Sequence, residues 1–186
     1  MNVTATKKMQ LKKLPMRLHH HAYTTDDHEK TRHFYEDVIG LPLVATYIER
    51  ELLFGEWIEL GHAFYGLADG SALAFFNFAD PAKQLAFRAK EQEAFVHLSL
   101  SVEKSTQEEI QVRIKEEGLE SLAIDHGYCN SLYIKDPNGL LLEFTVDPPN
   151  VQDINATMSR TAHADLRRWV NGSRESNNAW RAPPVE

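Results

Sequence analysis

The sequence predicts an α+β fold in which one unit, a strand followed by a helix and then several strands, occurs twice in succession. Three observations lead to it. Strand-like segments at 17–24 and 95–102 each precede a helix-like segment that is closed by a glycine. Each helix is followed by extended segments that end in a turn and a strand: Asp69-Gly70 before SALAFFNF, and Asp136-Pro137-Asn138-Gly139 before LLLEFTV. Aligning those turns sets Asn138–Phe144 on Asp69–Phe75, which repeats the order of elements with little residue identity.

Taken in order, residues 1–15 read as a flexible lead-in ending at Pro15. The first module, 16–80, opens with RLHHHAYT as a short strand. Asp26 or Asp27 caps a helix over 28–38, with Phe34 and Val38 four apart on one face, and Gly40 and Pro42 end it. LPLVATYIE and ELLFGEWIELG are extended, and HAFYGLA pairs with SALAFFNF through Asp69-Gly70. Residues 81–94, rich in Ala, Lys, Gln and Glu, form a linker with helical character. The second module, 95–149, starts with FVHLSLSV. Ser105 and Glu108 have the spacing of a capping box opening a helix to Glu117, closed by Gly118. Extended stretches at 119–124 and 131–135 lead into the closing hairpin. Residues 150–186 are an appendage with a helix around 160–170, whose Trp169 face is read as covering a sheet edge or a partner subunit.

Composition narrows the function. The chain has 186 residues, 42% hydrophobic and 25% charged, which suits a packed core. The single cysteine, Cys129, rules out an internal disulfide framework and fits a reducing compartment. No apolar run spans a bilayer, and the basic N-terminus lacks the apolar stretch of a secretory signal, so the expected location is cytoplasmic. A formal charge of −7 with no basic stripe argues against nucleic acid and membrane as partners. Nine histidines stand out, and their positions carry the argument.

In FVHLSLSV the apolar Val96, Leu98, Leu100 and Val102 alternate with His97, Ser99 and Ser101. A strand puts these sets on opposite faces, so His97 looks into a polar cavity beside two small side chains. In LLLEFTV, Leu142, Phe144 and Val146 face one way, and Leu141, Glu143 and Thr145 the other. A buried carboxylate such as Glu143 needs a cation, either a metal or a basic side chain. The loop Pro137-Asn138-Gly139 pairs Asp136 with Leu140, which sets Tyr133 opposite Glu143 and Ser131 opposite Thr145. Tyr133 is then a proton handler or substrate anchor, or a ring that fills space and bonds the carboxylate. Of His19, His20 and His21, either the middle one or the outer two share the cavity face, and periodicity alone does not choose.

LHHHAYTTDDHEKTRHFYEDVIGLPLV resembles the opening of a module of the vicinal oxygen chelate superfamily, the glyoxalase/bleomycin-resistance/extradiol dioxygenase group. FVHLSLSV resembles the first strand of its second module, and SLYIKDPNGLLLEF its closing hairpin. The resemblance covers 18–147. It implies two paired βαβββ modules forming a curved mixed sheet cup around a metal site. Counting from Phe34-Tyr35 through Asp27, it selects His20 as the first ligand, with His97 and Glu143 the others. It also implies a homodimer and a small-molecule substrate. Two imidazoles and one carboxylate leave open positions that suit Fe(II) or Mn(II), and are compatible with Zn(II) or Ni(II). Ala74 stands where glyoxalase I-like lyases place a fourth ligand, and Ala22 where the fosfomycin-modifying branch places a threonine. Extradiol dioxygenases share the triad and a tyrosine in the Tyr133 position. Their acid–base histidine slot falls near Ala82 here, and His126 is the nearby candidate in the second module. The function so implied is an Fe(II)/Mn(II) extradiol-type ring-cleaving dioxygenase on a small catechol-like substrate, with Tyr133 and His126 moving protons. The alternatives are a glyoxalase-like lyase, isomerase or transferase using the metal as a Lewis acid, and a metal-free drug-sequestering binding protein.

Overall fold

A computed structural model describes residues 15–53, 55–88, 90, 95–173 and 175–181. All but the last residue of the expected lead-in, and part of the linker, lie outside the described residues. β1 (His20–Thr24) leads to α1 (His28–Arg32), which runs on as a π-helical segment, His33–Ile39. β2 (Leu43–Leu53), β3 (Glu56–Gly66) and β4 (Ala72–Phe78) follow, and then α2 (Pro81–Phe87) in the linker. The second module has β5 (Leu98–Ser101), α3 (Lys104–Glu116), β6 (Leu122–Asp125), β7 (Asn130–Lys135) and β8 (Leu141–Val146). α4 (Val151–Val170) closes the described chain.

The two modules make separate four-stranded mixed sheets with the same order, β1-β4-β3-β2 and β5-β8-β7-β6. In each, the first strand runs parallel to the last and the others are antiparallel. The α+β architecture of two βαβββ modules is therefore as the sequence predicts.

Local chemistry sets the boundaries. Asp27 is the residue that caps α1, its carboxylate accepting from Glu29 N and Lys30 N, and Gly40 ends the π-helical segment at φ +89°. The π winding itself has no counterpart in the sequence reading. It turns Phe34, Tyr35, Val38 and Ile39 all inward. The capping box at Ser105 and Glu108 does not form. α3 begins at Lys104, with Glu103 as its cap residue and no side-chain bond to the free N–H groups. The C-terminal helix starts at Val151 rather than near 160, because the turn at Pro148–Asn150 supplies its first carbonyls.

One hydrophobic core joins the modules. Ala63, Tyr65, Leu73 and Phe75 from the first sheet meet Leu132, Ile134, Leu142 and Phe144 from the second around the π-helical segment and α3. Tyr35 Oη donates to Asp136 Oδ2 at 2.9 Å, and Asp136 also accepts from the backbone N–H groups of Asn138 and Leu140. The turn of the second module thus docks on the helix of the first. Since strand side chains alternate, the residues between these core positions lie on the opposite, open face of each sheet. Every residue of the proposed site is on one of those open faces or beside it.

Candidate metal and proton-transfer site

The second sheet's open face borders a cavity of about 1190 Å³ whose lining includes His97, Ser99, Tyr133, Glu143 and Thr145. The register is the one read from the turn: Tyr133 opposite Glu143, Ser131 opposite Thr145, with Asp136 N bonded to Leu140 O and Gly139 at φ +81°. Glu143 is 6% exposed. Its Oε2 lies 3.0 Å from His97 Nε2, and its Oε1 accepts from Tyr133 Oη at 2.7 Å. Burial alone would raise the Glu143 pKa, but hydroxyl donors from Ser131, Tyr133 and Ser99, with the His97 charge, outweigh it and hold the carboxyl below its usual value. Burial and the bond to Glu143 push the Tyr133 phenol up to about 12, so it keeps its proton at neutral pH.

His126 extends this chain of contacts. It sits in the β6–β7 loop, where its Nε2 is 3.0 Å from Tyr133 Oη and its ring stacks on Tyr128. The order of contact is His126, Tyr133, Glu143, His97. Sequence reasoning missed the wall opposite: Val151 and Asn155 from α4 also line the cavity, so the C-terminal appendage belongs to this pocket. The signal was there: Val151, Ile154 and Met158 recur at the three- and four-residue spacing of a helix face, ahead of the 160–170 stretch in which the helix was expected.

His20 does not join this group within one chain. Its neighbours, His19, His62 and Phe64, all belong to the first module. Among the described residues no three His, Cys, Asp or Glu side chains cluster as a metal would require. The expected convergence of His20, His97 and Glu143 is corrected accordingly: the shared core draws the inner faces of the two sheets together, and the open faces do not merge into one cavity.

Register nonetheless resolves which of the three adjacent histidines corresponds to His97. Glu143 on β8 is opposite Tyr133 and pairs with Ser99, two residues after His97. Ala74 on β4 is opposite Phe64 and pairs with Ala22, two residues after His20. His20 and His97 are therefore equivalent positions of the repeat. His21 instead packs its ring on Tyr23 at 4.2 Å, and Tyr23 packs against the core.

The first sheet's open face is aromatic. His62 is 8% exposed, stacked on Phe76 at 3.6 Å and tilted against Phe64 at 4.2 Å. Burial, then the charges of His20 and His28, lower its pKa to about 4, so it is neutral at physiological pH. His62 is a second residue that the sequence reading passed over. Its strand, WIELGHAFYG, is apolar on both faces, so alternation gave no signal.

The donor set suits a metal in part. Two ligand atoms about 2.1 Å from one metal, at adjacent octahedral positions, lie about 3 Å apart. That is the His97–Glu143 separation, 3.0 Å.

Among solved structures, the fosfomycin resistance protein FosX of Listeria monocytogenes, in complex with Mn(II) and 1S,2S-dihydroxypropylphosphonic acid, superposes with a TM-score of 0.54 at 16% identity. The match covers 75% of this chain and 98% of that one. A glyoxylase/bleomycin resistance protein/dioxygenase domain from Frankia gives 0.55 at 14% identity, covering 74% and 95%. A glyoxalase/dioxygenase from Nostoc punctiforme gives 0.52 at 17%, covering 77% and 99%. At these identities the likeness is one of fold. Comparison with curated proteins gives no match. The model of the Glyoxalase/Bleomycin resistance protein/Dioxygenase superfamily matches residues 17–144, and the chain belongs to that superfamily.

Proposed function

We propose that the protein is a metal-dependent enzyme that cleaves the ring of a small catechol-like aromatic, with His97 and Glu143 of one copy and His20 of a second copy holding an Fe(II) or Mn(II) ion. The observation that carries this reading is the His97–Glu143 pair at 3.0 Å, backed by the phenol of Tyr133. A bound metal would supply chelation of two vicinal oxygens and an open position for O2.

The remaining roles belong to the chain. Tyr133, protonated at neutral pH, donates to Glu143 and orients it. With the phenol hydrogen committed to Glu143, His126 Nε2–H is the donor to Tyr133 Oη, and it can pass a proton to that oxygen as Tyr133 passes its own onward. Phe64, Phe76 and the neutral His62 offer flat, weakly polar surface beside His20 for an aromatic ring. A second copy fits the exposed apolar side chains at the cavity's edge, Phe95, Leu122 and Tyr128, which a partner would cover.

The test is made on untagged protein. Metal content is measured first, then the protein is loaded anaerobically with Fe(II) and oxygen uptake is followed over a panel of catechols. Uptake with a ring-opened product is expected. Metal retention without uptake, alongside turnover of a thiol adduct or 2-oxoaldehyde, would replace ring cleavage by a lyase reaction. No metal retention after reconstitution would sink both.

A further inference from the structure

The chain beyond α4 returns to the site. Asn178 Nδ2 donates to the carbonyl of His126 at 2.9 Å, while Asn178 Oδ1 accepts from Trp180 N at 3.3 Å. The residue after His126 is Gly127, at φ +79°. A Cβ there would lie 2.5 Å from Arg181 Cα, inside van der Waals contact with backbone that cannot swing aside as a side chain can. The loop and the segment 178–181 are therefore fitted to each other at a point where only glycine is compatible. The loop is held from inside as well, by His126 N to Cys129 O at 2.9 Å and Gly127 N to Asp125 Oδ1 at 2.7 Å. The bond to Asp125 ties the loop to the end of β6, and His126 Nε2 to Tyr133 Oη ties it to β7. The bond from Asn178 and the backbone contact at Gly127 add ties from the C-terminal segment, on the side away from the sheet's own hairpin.

We propose that segment 178–181 is a clasp that positions His126, with Asn178 as the positioning residue and Gly127 as the seat. The clasp sets the height of the loop on the cavity rim and so holds His126 Nε2 within reach of Tyr133 Oη. Its catalytic meaning rests on the reading of His126 and Tyr133 as proton handlers, but its existence does not. Asn178 touches neither substrate nor the reacting groups in this scheme, and acts only through His126.

The informative variant is Asn178→Asp. It keeps the Oδ acceptor for Trp180 N, and so the local turn, while removing the donor to His126. Two readouts are taken on the full chain. Long-range 1H–15N spectra report the His126 ring tautomer, and hydrogen exchange reports loop 126–129. The wild type is expected to show one dominant tautomer and slowed exchange. Asn178→Asp is expected to show averaged ring nitrogens and at least tenfold faster exchange at the loop, with exchange in β7 and β8 unchanged. Asn178→Gln, which restores a donor, should recover part of the ordering. Gly127→Ala should give the same loop signature by pushing 178–181 away, and covers the case in which Asn178→Asp folds poorly. An unchanged His126 spectrum in both Asn178→Asp and Gly127→Ala overturns the clasp. If the loop loosens as expected but the metal-loaded wild type turns over nothing, the clasp stands and the proposed reaction fails.

Discussion

Burial alone would favour the neutral form of the Glu143 carboxyl, since removing a charge from water is costly. Three hydroxyls and an imidazole reverse that preference, so the group is ionised although nearly buried, and ready to face a cation. Replacing it by glutamine keeps the shape and removes the charge. Glu143→Gln is expected to lose at least tenfold in metal retention after dialysis, measured by elemental analysis. His20→Ala should do the same, and His19→Ala should leave retention nearly intact, because His19 precedes β1 and its counterpart in the second module is Val96 rather than His97. Greater damage from His19→Ala would move the register of β1 by one residue. His62 makes a different prediction, on stability. Burial lowers its pKa from 6.5 to about 4, so the unfolded chain binds a proton there more readily than the folded one. Stability of the metal-free protein should therefore fall as pH drops from about 6.5 to about 4 and level off below. The loss has an upper bound of about 3.5 kcal/mol at about 1.4 kcal/mol per unit. Urea unfolding at pH 7, 5.5 and 4.5 checks this, with His62→Gln expected to flatten that part of the profile.

At the scale of elements, the closing hairpin was the most legible part of the chain. Its turn residues fix a three-residue loop, and one face of apolar residues fixes which way Glu143 and Tyr133 point, so strand period and turn chemistry agree. The opening of α1 was legible for the same reason, as Asp27 satisfies two free N–H groups. α3 was not. Ser105 and Glu108 have the right spacing, but the helix starts one residue before Ser105, and a serine inside a helix cannot cap it. This contrast gives a paired prediction. Asp27→Ala should destabilise the protein by about 1 kcal/mol, and Ser105→Ala should stay within about 0.5 kcal/mol of wild type, both read from urea midpoints. The π-helical turn was hidden because it depends on what the segment packs against. Tyr35 is wholly buried against the other module, and Ile154 is buried at the base of α4. The π winding leaves no local sequence pattern, whereas Ile154 stands between Val151 and Met158 at helical spacing, a pattern that was legible and passed over.

At the scale of the whole molecule, the modules repeat one strand order and keep their open faces apart. His20 and His97 occupy equivalent positions, but the core that ties Tyr35 to Asp136 commits one face of each sheet, and the open faces remain distinct. Sequence could propose all three residues and still not reveal this, because the way the modules pair is decided by contacts between distant segments, such as Tyr35 with Asp136, and not by the period within a strand. On the proposed reading, a metal held by His20 together with His97 and Glu143 would bring two copies together, and twofold symmetry would make two identical sites. This can be tested without knowing the substrate. Chains carrying His20→Ala are co-expressed with chains carrying Glu143→Ala, and metal content is measured. Random pairing makes half of the dimers mixed, and each mixed dimer has one site with all three ligands, so about a quarter of the wild-type metal should return. His97→Ala co-expressed with Glu143→Ala is the control: both lesions lie in the second module, no combination yields an intact site, and retention should stay at background. Recovery in the first mixture but not the second requires ligands from two chains. Equal failure in both, with each single variant folded, would mean that the site is completed within one chain after a rearrangement of the modules.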